Sequence, residues 1–222
     1  MSITIYTDGS CFNNGKKNAS GAIGIFFGEN DKRNCGVAIK DGKITNQTME
    51  LLACLEALSN IDTNEIIYLY TDSTYVIRSM TEWCKKWETN GWLGVNKKPI
   101  ENLDIIKSLY EIVKNKKIIF KHVRSHQNPP NDITSNEYKH WYGNKMADEL
   151  ATKANHEYAE SLKKKEYDFK INKAKTIVDQ YSTANEDELL DLVDKFDNLN
   201  KKKRVYKKKK LVIDESLIEN NI

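Results

Sequence analysis

The chain has 222 residues and a mass of 25.6 kDa, room for one ordinary domain with an appendage rather than for two full domains. Hydrophobic residues are 39% and charged residues 30%, a polar balance in which either the surface is heavily charged or part of the chain does not pack. The net charge of +3, from 35 Lys and Arg against 32 Asp and Glu, neither demands nor excludes a polyanionic partner, so the placement of charge must decide.

Cys11, Cys35, Cys54 and Cys84 form no CxxC pair and no metal-like cluster. They read as reduced thiols of an intracellular protein with no disulfide-linked partner. The N-terminus MSITIYTDGS lacks a basic region followed by an apolar core, and no run approaches ~18 apolar residues. A secretory signal and a membrane span are therefore not expected.

Three short β-like runs, 3–8, 21–28 and 34–41, are separated by Gly and Asn, as in an antiparallel meander. A helix is predicted over 48–59, where Leu51, Leu52, Leu55 and Leu58 share one side. IIYLYT at 66–71 is almost continuously apolar, which suits a central strand covered on both faces. Helices are predicted over 73–83 and 103–114, a strand over 117–123 and a last helix over 144–159. This order indicates an α/β fold: a mixed sheet flanked by helices. The segment 127–143, with Pro129-Pro130, reads as an inserted flexible excursion near the candidate site.

Residues 1–154 and 155–222 differ in kind. The first part holds all ten Gly, all three Pro and all four Trp; the second has none of these. Its charges come in blocks, six acids and one Lys over 186–197 and then eight bases over 201–210. Such runs stay solvated, although Leu189, Leu190, Val193 and Phe196 fall at helical spacing. The extension is thus expected to be partly helical or disordered, with the Lys-rich block a candidate phosphate-binding or nuclear-targeting segment.

Four acids stand at unusual places. Asp8 in YTDGS and Asp72 in LYTDS each end a strand, where a charge must be solvated, paired or bound to a cation. Both tips lie where open α/β sheets form their sites. Glu50 falls in the first turn of a helix. With Ala147, Leu150, Ala151 and Ala154 forming the apolar side of the last helix, Asp148 falls about 100° from its centre and Glu149 about 200°, so Asp148 looks inward. An Asp after a strand is often only a turn residue or a cap, and each acid alone carries little weight. Together they repel one another, and the cluster makes sense once divalent cations neutralise it. Oxygen ligands favour Mg²⁺ first and Mn²⁺ second. Two such ions ~4 Å apart are the usual device for in-line attack on a phosphodiester.

ITIYTDGSC, TNQTMELLACLEAL, IYLYTDSTYV, HVRSH and GNKMADELA, in this order and spacing, closely resemble type 1 ribonuclease H over residues 1–154. The resemblance implies the ribonuclease H-like fold, with a five-stranded mixed sheet of three antiparallel and then two parallel strands flanked by helices. It implies a catalytic domain at 1–154, with 155–222 as an extension. It implies endonucleolytic hydrolysis of the RNA strand of RNA–DNA hybrids, leaving 5′-phosphate and 3′-hydroxyl ends. Asp8, Glu50, Asp72 and Asp148 would be the ligands of two Mg²⁺ ions, with Mn²⁺ as a substitute. Asp8 would bridge the ions, Asp148 would help hold the one that activates water, and Glu50 and Asp72 would complete the other site. His126 in VRSHQ matches the family's loop histidine for proton transfer or product departure, and Asn144 a family asparagine that supports the Asp148 side. His122, His140 and His156 are left structural or solvated.

Hybrid recognition needs groups that find the 2′-hydroxyl in the minor groove. By resemblance these are Asn14 in CFNNG with Asn46 and Gln47, although turn chemistry explains Asn13 and Asn14 equally well. Thr45 and Asn102 match a pocket for a DNA-strand phosphate. Thr48 stands where bacterial relatives often carry Arg, and Thr74 where Gln is frequent. WCKKWETNGWLGVNKK at 83–98 resembles the family's basic protrusion, which assigns Trp87, Lys97 and Lys98 to the DNA strand, with Trp83 partly a core residue. The partner is then an RNA–DNA hybrid duplex bound by a monomer in the cytoplasm or nucleus, and no hybrid-binding module is expected ahead of the first strand. Two other readings stay open: a DNA-strand integrase or resolvase-like nuclease of the same fold, and a non-catalytic hybrid-binding protein.

Overall fold

Two apolar alternations in the first strand decide the layering. Ile5 and Thr7 point to one face of the sheet, Tyr6 and Asp8 to the other, and all four are buried. The sheet is therefore covered on both sides around β1 (Ser2–Phe12). The structure is a computed structural model that describes residues 2–125 and 127–182. Five strands are ordered β3-β2-β1-β4-β5, with β2 (Ser20–Phe26), β3 (Cys35–Ile39), β4 (Ile66–Thr71) and β5 (Ile118–His122). β1–β2 and β2–β3 pair antiparallel; β1–β4 and β4–β5 pair parallel. The mixed sheet of the sequence reading is the sheet observed.

On one face lies α1 (Asn46–Ser59), which buries Leu51, Cys54 and Leu58 against Ile5, Ile67 and Leu69. A capping box fixes where it starts. Thr45 Oγ1 accepts from the Thr48 amide at 3.2 Å, and Thr48 Oγ1 accepts from the Thr45 amide at 2.8 Å. The same face carries α4 (Leu103–Asn115), through Ile106 and Leu109, and the run α2 (Thr74–Arg78), a π-helical turn (Ser79–Trp83) and α3 (Cys84–Thr89). The sequence reading ended this helix at 83. The π turn absorbs an extra residue and lets the helix run on to Thr89.

The opposite face carries α5 (Asn136–Ser182). Gly24 seats it: a Cβ there would stand 2.0 Å from the Ala147 carbonyl oxygen, so only glycine lets this helix touch the sheet. Its start, eight residues before the predicted one, is set by Asp132 Oδ1, which accepts from the Thr134 amide at 2.9 Å, and by Ser135 Oγ, which accepts from the Tyr138 amide at 3.0 Å. Half of the predicted excursion, 136–143, is thus helix, and 127–135 is loop.

The chain divides into a unit spanning Met1–Leu162 and a unit from Lys163 to the end. Of the second, the described part is helical through Ser182. The boundary drawn at residue 154 falls inside α5. The 189–196 amphipathic segment and the 201–210 basic block lie outside the described residues, as does His126. All four cysteines are free thiols, and no described helix is long and apolar enough to cross a membrane.

Candidate active site

Asp8 sits on β1 opposite Gly24 of β2, at the height where β4 ends and Asp72 follows. Glu50 reaches the same point from α1 because that helix approaches β1 at Gly9. A Cβ on Gly9 would lie 2.5 Å from the Glu50 amide nitrogen. The Gly9 amide beside both carboxylates favours the ionised forms of Asp8 and Glu50. Carboxylate oxygens of Asp8, Glu50 and Asp72 lie within 4.8 Å of one another. Asp148 stands outside that triad, near enough to Asp8 for its charge to raise that carboxyl, and receives a bond from Thr152 Oγ1 at 3.3 Å. It is half-buried while Glu149 is exposed, as its angle on the helix requires.

The electrostatics follow from this crowding. Burial, then the charges of Asp72 and Asp148, push the Asp8 carboxyl up to about 7. Burial, then Asp8 and Asp72, raise Glu50 well above the usual carboxylate range. Behind Glu50 the buried Cys54 thiol lies 3.3 Å from Thr7 Oγ1, and burial pushes it up to about 12. Glu50 Oε2 and Asn144 Oδ1 are buried with no hydrogen-bond partner. Hard oxygen donors, close enough to share an ion and with one lone pair left unsatisfied, fit a divalent cation.

All four acids line an open cleft of about 460 Å³, together with Asn46 and Asn144. Asn14 is at the edge, its Oδ1 accepting from the Asn46 amide at 3.4 Å. Gln47 is exposed on the first turn of α1. The remaining predicted contacts lie outside the cleft lining. Thr45 spends its hydroxyl on the α1 cap, and Thr48, buried, completes that cap. Asn102 precedes α4 with φ +57°, and its Nδ2 is buried without a partner. The Lys43–Glu101 ion pair of 3.2 Å ties the two segments that end in Thr45 and Asn102. Trp87 is half-buried against the core, 5.6 Å between centroids from Trp83. Lys97 and Lys98 are exposed in a turn, where Lys97 has φ +54°.

The sequence reading missed the other wall of the cleft, made by Arg124, Ser125, Trp141 and Lys145. The spacing 141, 144, 145, 148 was there to be found, since i, i+3, i+4 and i+7 share one helical face. It stayed hidden because Trp141 fell in a segment read as loop. His140, expected to be structural or solvated, is structural: its ring stacks on Tyr70 at 4.1 Å and its two nitrogens bond the Tyr6 and Tyr70 hydroxyls at 3.0 and 3.1 Å.

A family model described as RNase H matches residues 1–156. A ribonuclease H of Schizosaccharomyces pombe is 35% identical over 147 residues, which is 66% of this chain and 50% of that protein, so the chain spans half the length of this relative. A ribonuclease H of Clostridium botulinum is 36% identical over 159 residues, 70% of this chain and 97% of the relative. Among solved structures, the foamy viral protease-reverse transcriptase in complex with RNA/DNA hybrid is similar at 26% identity and a TM-score of 0.53, over 69% of this chain and 20% of that one.

Proposed function

The chain belongs to the ribonuclease H family, and from that premise we propose that it cleaves the RNA strand of RNA–DNA hybrids endonucleolytically, using two Mg²⁺ ions and leaving 5′-phosphate and 3′-hydroxyl ends. The observation that carries the reading is the meeting of three carboxylates, from β1, α1 and the end of β4, within 4.8 Å. The hybrid-bound viral relative supports the choice of substrate.

Asp8, Glu50, Asp72 and Asp148 would hold the ions, Asp8 belonging both to the triad and to the Asp148 contact. When bound, the ions supply the water nucleophile and Lewis-acid stabilisation of the phosphoryl charge. The protein's part is to keep four like charges fixed and short of solvent, so that cations are the favoured partner of every oxygen. Asn144 presents an unpaired carbonyl oxygen to this group from α5, one turn before Asp148. Asn14, Asn46 and Gln47 present amides for the minor groove, where a 2′-hydroxyl tells RNA from DNA. Asn102, at the head of α4, would act with Thr45 on a DNA-strand phosphate. Trp87, Lys97 and Lys98 would grip that strand farther out, and His126 would assist product departure. The catalytic domain is placed at 1–154, with 155–222 as its extension, acting as a monomer in cytoplasm or nucleus.

The test is cleavage of a labelled hybrid in Mg²⁺. The wild-type protein should cut only the RNA strand, and Asp8→Asn and Asp72→Asn should each lose at least about 10³-fold, about 4 kcal/mol in transition-state stabilisation. Cutting confined to DNA, or unimpaired variants, would reject the assignment.

A further inference from the structure

The residues assigned so far to substrate lie on α1, on the loops before α1 and α4, and on the α3 protrusion. None of them comes from the wall formed by the segment that follows β5 and by α5. Arg124 there is exposed, lines the cleft and takes part in none of the ion pairs among the described residues. Trp141 is half-buried, and its Nε1 donates to the Gln127 carbonyl at 2.9 Å. That bond uses the one donor of the indole and, with the Tyr138 ring 5.4 Å away and tilted by 42°, holds the ring in the cleft lining with part of its surface exposed. The Lys145 ammonium lies 5.5 Å from the centroid of that ring and 3.4 Å from Glu149.

We propose that Arg124, Trp141 and Lys145 form a nucleotide subsite for the cleaved strand, next to the scissile linkage. Arg124 takes a phosphate through its planar fork, Trp141 packs against the ribose or base, and Lys145 adds a second charge over the indole. The inference rests on the hybrid-cleaving reading above and deepens it. Divalent cations offset the four carboxylates, and among the described residues lining the cleft the basic side chains are Arg124 and Lys145. These two side chains can pair with the phosphates that flank the metal site and leave the metal ligands untouched. The aromatic in this wall depends on the helical start at Asn136, since without it residue 141 has no fixed direction.

Binding of a fluorescent RNA–DNA hybrid, read by anisotropy in Ca²⁺ buffer and repeated over a range of salt, tests the subsite without relying on turnover. Arg124→Ala should weaken binding about tenfold at low salt and lower the slope of log K against log salt by about one. Trp141→Ala should weaken it about tenfold, and Trp141→Phe, which keeps a ring face and loses the N–H, no more than about twofold. Neutral methylphosphonate linkages placed singly along the RNA should weaken wild-type binding at one position flanking the cut and leave Arg124→Ala indifferent there. An Arg124→Ala protein with wild-type affinity and slope overturns the proposal. So does a Trp141→Phe protein as weak as Trp141→Ala, because the indole would then act only by tethering Gln127. A wild-type protein that binds no hybrid instead removes the functional reading beneath it.

Discussion

At Asp8, burial strips water from a carboxylate that already faces Asp72 and Asp148, and the pKa rises to about 7. A raised acid binds its proton better in the folded state than in the unfolded one. Its stabilising effect is therefore complete below the unfolded value near 3.8 and is lost as pH climbs to about 7. A divalent cation reverses the sign, because it needs the ionised form. In EDTA, thermal stability should fall between pH 4 and pH 7, and Mg²⁺ at about 100 times its Kd should raise Tm by about 5–10 °C at pH 8 but hardly at pH 5. Differential scanning calorimetry across that range reads both, and a Mg²⁺ effect independent of pH would contradict the assignment of these groups as ligands. Asp72 was legible because a charge directly after IIYLY breaks the apolar run of β4, whereas Asp8, expected to end its strand, lies within β1. The roles of Thr45 and Thr48 were not legible. Both hydroxyls are used within the α1 cap, and a Thr three residues from another Thr carries no sign of whether it caps or binds.

Elements place these side chains through a few cross-element contacts, and one of them joins β1, β4 and α5. Tyr6 and Tyr70 each precede a cleft acid by two residues, and His140 lies eight residues, about two turns, ahead of Asp148. The imidazole stacked on Tyr70 and bonded to both hydroxyls thus connects the three elements that carry Asp8, Asp72 and Asp148. His140→Phe keeps the stacking and deletes both bonds. Thermal denaturation should show a loss of about 1–3 kcal/mol. Half-saturation by Mn²⁺ should shift several-fold higher, a change that a purely local loss of packing would leave out. Four strands were read to within two residues at each end, because alternation and Gly breaks mark them directly, whereas β1, read as 3–8, runs on to Phe12 and keeps Asp8 in mid-strand. The start of α5 was not read, since its signals, Asp132, Ser135 and aromatics at 138, 141 and 142, follow Pro129-Pro130 and resemble a polar loop. The π turn was equally silent, for a five-residue turn leaves no periodicity of its own.

Across the whole molecule, charge separates from chemistry. Through Leu162 the chain carries 20 basic and 20 acidic residues; the remaining 60 carry 15 and 12, so the entire net charge of +3 belongs to the second unit. Truncation can test what that charge does only if the cut respects packing. Ending at residue 154 would remove Asn155, which is fully buried and donates from Nδ2 to Ser10 Oγ and the Ser20 carbonyl, both at 3.2 Å. Leaving those groups unpaired beneath the cleft costs about 1–3 kcal/mol each, so a 1–154 protein should be clearly less stable. A 1–162 protein keeps the bonds and should melt within a few degrees of the full chain. Its cleavage pattern and kcat should match the full chain, since every cleft residue is retained. KM for the hybrid should rise several-fold at low salt, and the difference should fade toward about 0.5 M salt as screening removes the long-range attraction. An altered cut position would mean that residues beyond 162 help to place the substrate. An unchanged KM at low salt would mean that their positive charge never meets the phosphates.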